Sequence, residues 1–382
     1  MRARWLRTLA LVGLSLTASL APTTDPLQAH AAPAVAAMDP PVFCVLRGAV
    51  DGTSSAVSLV TVEGARTRVR DLGQVDHAQG SARRGAVMPN TEVAIVAVAE
   101  GTDRRSTYDS ALFRVDDKAS RRVLGGLAHA VAPVVSPSGV VLVARGVEGR
   151  EPTVQESKRL VLRVDALTLD RVDLDTGVAT TVWRGTGYQA FPAFIAARDG
   201  HEDLVFALID PSGESLMSVE VTGGAPRTIA SVVPFARDFS WDRAHDAIVF
   251  ADLLTPYSPR WSVDTVPISG GSIRSFFDDL NDHLMPYSVA GEILISTTTG
   301  LADTGLGRVD ESTRTARSLG AFGPGSDRIV ASSADARWLL LTHTSRAARQ
   351  VAVFDRAASR AVLPSLPGDE EIEPLGFVGA AR

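Results

Sequence analysis

The 382-residue chain has one cysteine, Cys44, so no disulfide can form within it. Without that cross-link its stability rests on core burial, which a large β domain supplies and a small one usually cannot. Lysine is nearly as scarce: Lys118 and Lys158 stand alone, and Asp plus Glu outnumber Lys plus Arg by 44 to 38. The formal charge of −6 suggests no basic stripe for a phosphate backbone, so no nucleic-acid partner is expected. Long apolar runs are also missing. Beyond Leu20 no stretch reaches the ~18 apolar residues of a membrane helix, and no membrane span is expected. Short catalytic signatures are absent too: there is no G-x-S-x-G, P-loop or C-x-x-C, and His201-Glu202 begins an H-E-x-x-H without its second histidine. Cys44 lies in the apolar run 42–46 and reads as a buried strand residue, not a nucleophile.

What is present begins with an export pattern. Arg2, Arg4 and Arg7 precede an apolar segment over 9–20, and small residues follow at 29–31 and 34–36. These three regions predict a signal peptide over 1–31, then a Pro/Ala-rich lead over 32–41. Its removal would take away three arginines and Asp25, leaving −8 on a single domain over 42–382. An exported monomer, periplasmic or extracellular, is expected.

The domain repeats one pattern, clearest in 331–355, ASSADARWLLLTHTSRAARQVAVFD: an apolar run, then a second β-rich run ending on an acidic residue. The equivalent valines are Val62, Val115, Val172, Val219, Val266, Val309 and Val353, spaced by 53, 57, 47, 47, 43 and 44 residues. That period suits four-stranded propeller blades. The amino end starts at a second strand over 43–46, and 373–378 supplies the missing first strand. The expected fold class is therefore all-β, a seven-bladed β-propeller whose ring is closed by a C-terminal first strand joining the N-terminal strands. Such closure removes the exposed edges an open array would leave.

The segments SPSGVVLVARG (136–146), SWDRAHDAIVFADL (240–253) and SADARWLLLTHTS (333–345), with the LxxVDxxTG-like strands at 169–177 and 216–224, resemble the S-P-D-G repeats of TolB-type, WD40-like β-propellers. The resemblance covers nearly the whole domain, although the Asp-Gly of the repeat is never complete. It implies the fold and a role in the bacterial envelope, not a particular partner set.

Function should then lie on loops. In a propeller the links from second to third strand, and from fourth strand to the next blade, share one rim, and here those links are long. The link TPYSPRW (255–261) brings Tyr257, Arg260 and Trp261 together between prolines, either as contact anchors or packed under a neighbouring loop. Arg104, Arg105 and Tyr108 on one link and Tyr188 on another are further contact candidates. Asp278, Asp279, Asn281 and Asp282 cluster the hard oxygens that calcium takes, or form a solvated acidic loop. His77, His129 and His283 fall on links into first strands. The expected function is a binding module for a protein, small-molecule or glycan ligand on the long-loop rim, with no cofactor unless calcium. The alternative is a propeller hydrolase or lyase with a metal at the channel mouth on His129 and His283.

Overall fold

The computed structural model describes residues 40–379 apart from 50, 65, 101–106, 159–160, 256–259, 280–283, 300–302, 321–325, 345–348, 365 and 367–370. The expected signal peptide and most of the lead fall outside the described residues.

The described chain is almost entirely β. Strands β1 (Val42–Gly48), β2 (Ser54–Glu63) and β3 (Arg66–Asp76) form an antiparallel meander. An eight-stranded sheet follows, made of two meanders. The first is β4 (Arg83–Val87), β5 (Ala94–Ala99), β6 (Ser110–Val115) and β7 (Ser120–Leu127). The second is β8 (Val134–Val135), β9 (Val141–Val147), β10 (Asp165–Val172) and β11 (Ala179–Gly187), with helix α1 (Val154–Lys158) in the 146–168 insertion. The pair Leu127 and Arg145 bridges the two meanders. Four four-stranded sheets come next. They are β12 (Gln189–Arg198), β13 (His201–Asp210), β14 (Gly213–Glu220) and β15 (Arg227–Val232); then β16 (Arg237–Asp242), β17 (Ala247–Leu253), β18 (Trp261–Pro267) and β19 (Arg274–Asp279). The last two are β20 (Met285–Val289), β21 (Glu292–Thr299), β22 (Asp303–Asp310) and β23 (Thr315–Gly320); then β24 (Ser326–Ser332), β25 (Trp338–Thr344), β26 (Arg349–Asp355) and β27 (Arg360–Val362). The final strand, β28 (Glu371–Phe377), returns to the start of the domain and pairs with β1. First strands are neighbours in succession: β4 touches β8, β8 touches β12, and so on to β24, which touches β28, which touches β4.

Side-chain chemistry explains the strands. The second strands are apolar on both faces because each lies inside its sheet and between neighbouring sheets; AIVAVA of β5 is buried at every position. All seven marker valines are buried, each within a packed cluster between sheets. Aromatic contacts join sheets and strands as well: Trp183 and Phe206 of neighbouring sheets lie 4.9 Å apart, and within the first sheet Phe43 meets Phe377 of the paired strand edge-on at 6.3 Å.

The acidic residue after the third-strand valine closes the hairpin. Asp173 Oδ1 accepts from the backbone N–H of Asp175 and Thr176 at 2.9 Å, and Asp116, Asp310 and Asp355 make the same pair of bonds. In the S-P-D-G-like turns Ser136 Oγ accepts from Val140 N, and Ser333 Oγ from Trp338 N, both at 2.9 Å. Where the repeat's glycine is absent, Ala336 holds a φ of 57° beside Gly139's 87°, so the turn survives at a cost in backbone strain. Cys44 is buried and its thiol pKa is pushed up to about 12 by that burial, which makes it unreactive.

Candidate functional site

Antiparallel meanders put the links from second to third strand, and from fourth strand to the next first strand, at one end of the strands. At that end a cavity of about 750 Å³ opens, lined by residues of β4, β8, β12, β24 and β28. Its mouth carries Arg84, Arg328, Arg349 and Glu373. Arg84 Nη1 donates to Glu373 Oε1 at 3.3 Å, and Arg349 Nη2 lies 2.6 Å from Glu373 Oε2. Arg328 reaches Asp238 at 2.7 Å. Burial pushes the Glu373 carboxyl upward, while Arg349, Arg84 and Arg328 draw it back down. A smaller hollow of about 390 Å³ adjoins, lined by residues 80–84, Arg349, His129, Glu371 and Glu373.

His77 lies behind this hollow. Its Nε2 is 2.8 Å from Ser55 Oγ and its Nδ1 3.0 Å from the Ala78 carbonyl oxygen, the alignment of a nucleophile, a base and an orienting group. The Ser55 hydroxyl also accepts from Arg83 Nη1 at 3.0 Å and is 2% exposed, which seals it from any substrate. Arg83 continues to Glu371. The pair is a hydrogen-bonded part of the core.

A second group of ionisable side chains was not legible in advance. Glu214 on β14 and Asp252 on β17 are both 3% exposed and hold the link between β15 and β16. Glu214 Oε2 accepts from Phe235 N at 2.8 Å, and Asp252 Oδ2 from Val233 N at 3.3 Å. Burial pushes Glu214 up to about 7, reinforced by the charge of Asp252; burial and the charge of Asp264 push Asp252 up to about 6. The link they hold presents Phe235 at φ 84° with 67% of its surface exposed, a conformation a bulky residue seldom adopts.

A carboxylic acid raised in the folded state favours folding fully only below its unfolded pKa, near 4.5. As pH rises toward 7 the unfolded chain has released its proton and the folded one has not, so stability falls. For Glu214 the loss is roughly 3 kcal/mol by pH 8. Glu214→Gln keeps an acceptor for Phe235 N and should flatten this slope, with denaturant melts at pH 5 and pH 8 as the measurement. Parallel pH profiles for the two proteins would exclude the assignment.

The sequence-derived contact candidates separate in the structure. Tyr257, Arg104, Arg105, Asn281, Asp282 and His283 lie outside the described residues. Asp278 and Asp279 end β19, and their side chains lie outside them too. Trp261 is not a surface anchor. Strand β18 starts at this residue, inside the expected link 255–261, and draws the ring into the core at 6% exposure with the Arg237 guanidinium 3.9 Å above it. Arg260 is half-buried, and its carbonyl accepts from Leu254 N. Tyr108 is turned inward: its Oη donates to buried Asp165 at 2.9 Å, and Asp165 also binds Arg163 at 2.8 Å. Together they pin the root of the 146–168 insertion. Tyr188 is half-buried on the rim, its N–H bonded to Ile209 O at 2.7 Å. His129 stands at the smaller hollow but its Nδ1 is 3.0 Å from Asp109 Oδ1. Among the described residues no three His, Cys, Asp or Glu side chains converge as a metal site.

No family model matches the chain, and no curated protein matches it either. Solved structures do. A prolyl endopeptidase is similar at 14% identity and TM-score 0.59 over 88% of this chain, which spans about half (49%) of that protein's length. The periplasmic gluconolactonase PpgL of Pseudomonas aeruginosa is similar at 13% identity and TM-score 0.51, over 87% of this chain and 99% of that one. TolB from Acinetobacter baumannii is similar at 12% identity and TM-score 0.48, over 88% of this chain and 82% of that one. Likeness at this level of identity speaks to fold alone, and the fold is an all-β, propeller-like array of antiparallel sheets.

Proposed function

We propose that this chain is an exported, seven-bladed β-propeller that works as a binding module through its long-loop rim. The two meanders of the eight-stranded sheet count as separate blades, and β28 with β1, β2 and β3 makes the seventh. The succession of first-strand neighbours from β4 round to β28 supports the count. The arginine-rich start of the chain supports export.

One observation carries the choice of rim. Of the nine large apolar side chains that stand exposed among the described residues, five lie on the 146–168 insertion, and Phe235, Leu254 and Leu363 lie on other long links; of these nine, Val178 alone sits on the opposite rim. Exposed apolar surface gathered on one face marks an interaction site, whereas scattered residues do not. The fixed, outward Phe235 suits a contact residue, since two buried carboxylates set its link beforehand and little order remains to be lost on binding.

A photoreactive residue placed at Phe235 or Tyr188 should give a discrete cross-linked adduct in the native envelope, while the same residue at Val178 should give none. Adducts from Val178 equal to those from Phe235 would refute the choice of rim.

A further inference from the structure

The rim reading leaves open what enters the cavity whose mouth lies on that rim, and the walls answer in chemical terms. Four arginines, Arg84, Arg243, Arg328 and Arg349, line it against one glutamate, Glu373. Three of the four come from strands that each touch β28, the strand of Glu373: β4, β24 and β26. Glu373 engages Arg84 and Arg349 at once, Arg349 also lies 3.8 Å from Glu371, and Arg328 pairs with Asp238, so the four lining arginines still outnumber the three acids they meet. A guanidinium carries five N–H donors in a planar fork. The bonds of Arg84 to described residues all run through Nη1, to the Arg83 carbonyl and to Glu373. The rest of its fork can serve a second carboxylate.

Two further observations point inward. Thr342 lines the same cavity, is 3% exposed, and its buried hydroxyl has no hydrogen-bond partner among the described residues. Its strand position is directly across from Arg328, which places both side chains on one face of the β24–β25 pair. A buried hydroxyl left without a partner is costly, and a ligand oxygen would satisfy it. Beyond the charged mouth the wall turns apolar, with Pro89, Phe191, Phe194, Leu375 and Phe377. A volume of about 750 Å³ falls in the range of small-molecule sites.

We propose that the cavity binds a small amphiphilic carboxylic acid. Its carboxylate sits among Arg84, Arg328, Arg349 and Thr342, and its apolar body lies against Phe191 and Phe377. Planar guanidinium forks match a carboxylate, and the apolar wall excludes a bare, fully hydrated anion as the best occupant. The inference rests on the rim reading only in sharing its mouth.

Calorimetric titration of the full chain with acetate, octanoate and 3-phenylpropanoate tests it, alongside octan-1-ol, 3-phenylpropan-1-ol and inorganic phosphate at one ionic strength. Octanoate or 3-phenylpropanoate should bind saturably at one site, about tenfold or more tighter than the matching alcohol. Acetate and phosphate should bind more weakly than either. Arg328→Gln, at a half-exposed side chain that pairs with Asp238 and not with Glu373, should lose about tenfold in acid affinity while the chain still unfolds cooperatively. Arg349→Gln should lose as much acid affinity, with some loss of stability from the freed Glu373, and Arg349→Lys should recover part of the affinity. Four results would each overturn the proposal: no saturable binding of any acid, equal binding of acid and alcohol, phosphate binding as tightly as the longer acids, or full affinity in both glutamine variants. Adducts at Phe235 without acid binding would remove this inference and leave the rim reading. Acid binding without adducts at Phe235 or Tyr188 would do the reverse.

Discussion

A chain ending before Glu371 is expected to lose cooperative unfolding altogether. Strand β28 is the partner of β1 over six residue pairs, from Phe43 with Phe377 to Gly48 with Glu371. It buries Ile372, Leu375 and Phe377, which belong to the packed clusters on both faces of the first sheet. At about 2 kcal/mol for each such side chain, their removal costs roughly 6 kcal/mol before the freed edge of β1 is counted. Loss of the ion pairs from Arg83, Arg84 and Arg349 to Glu371 and Glu373 adds to it by stranding one buried and two half-buried guanidiniums. Whole domains are stable by only about 5–15 kcal/mol, so the truncated chain should populate unfolded or aggregated states at room temperature. Circular dichroism melts of the two chains are the measurement. A truncated chain with an unchanged, cooperative melt would refute the proposed ring closure.

Trp261→Ala should destabilise the protein by about 3–5 kcal/mol, the range for emptying a large aromatic site in a core. The indole packs with Val263, Phe276 and Leu284 among others, and its upper face carries the Arg237 guanidinium, whose own pKa is depressed by burial. Removing the ring leaves both a void and a half-buried cation without its aromatic partner. Denaturant titration at fixed pH reads the loss directly. A cost below about 1 kcal/mol, within the range of surface changes, would show that the ring is not part of the core. A binding defect in this variant would report unfolding, so contact at the rim is better probed through Phe235.

Much of the fold was legible because its signals are local. An acidic residue that binds backbone N–H groups two and three residues on can be read from a single segment, as at Asp173 and Asp310. The period of the marker valines needs only the spacing, and the surplus strand at the carboxyl end follows from counting. The TPYSPRW link shows the limit: the start of β18 depends on pairing with β17 and β19, and that pairing decided the fate of Trp261. The candidate site was mostly illegible for the same reason. Glu214 and Asp252 stand singly in apolar strands of different sheets, and nothing near either one announces the other. Arg84, Arg328, Arg349 and Glu373 come together only when first strands from both ends of the chain meet. Phe235 follows Pro234 in an ordinary-looking link, and its strained φ is set by carboxylates that lie outside that link.

The pairing of β1 with β28 also fixes an order of events. Phe43 and Phe377 are 334 positions apart. Joining ends so distant costs on the order of 5 kcal/mol of chain entropy, and nothing on the β1 edge offsets it until the last strand has been made. A ribosome working from the amino end releases β1 early and β28 last, so the first sheet waits through nearly the whole of synthesis with one side open. Intermediate sheets, each built from neighbours in sequence, can form during that interval. The final docking is then the slow, long-range step of folding.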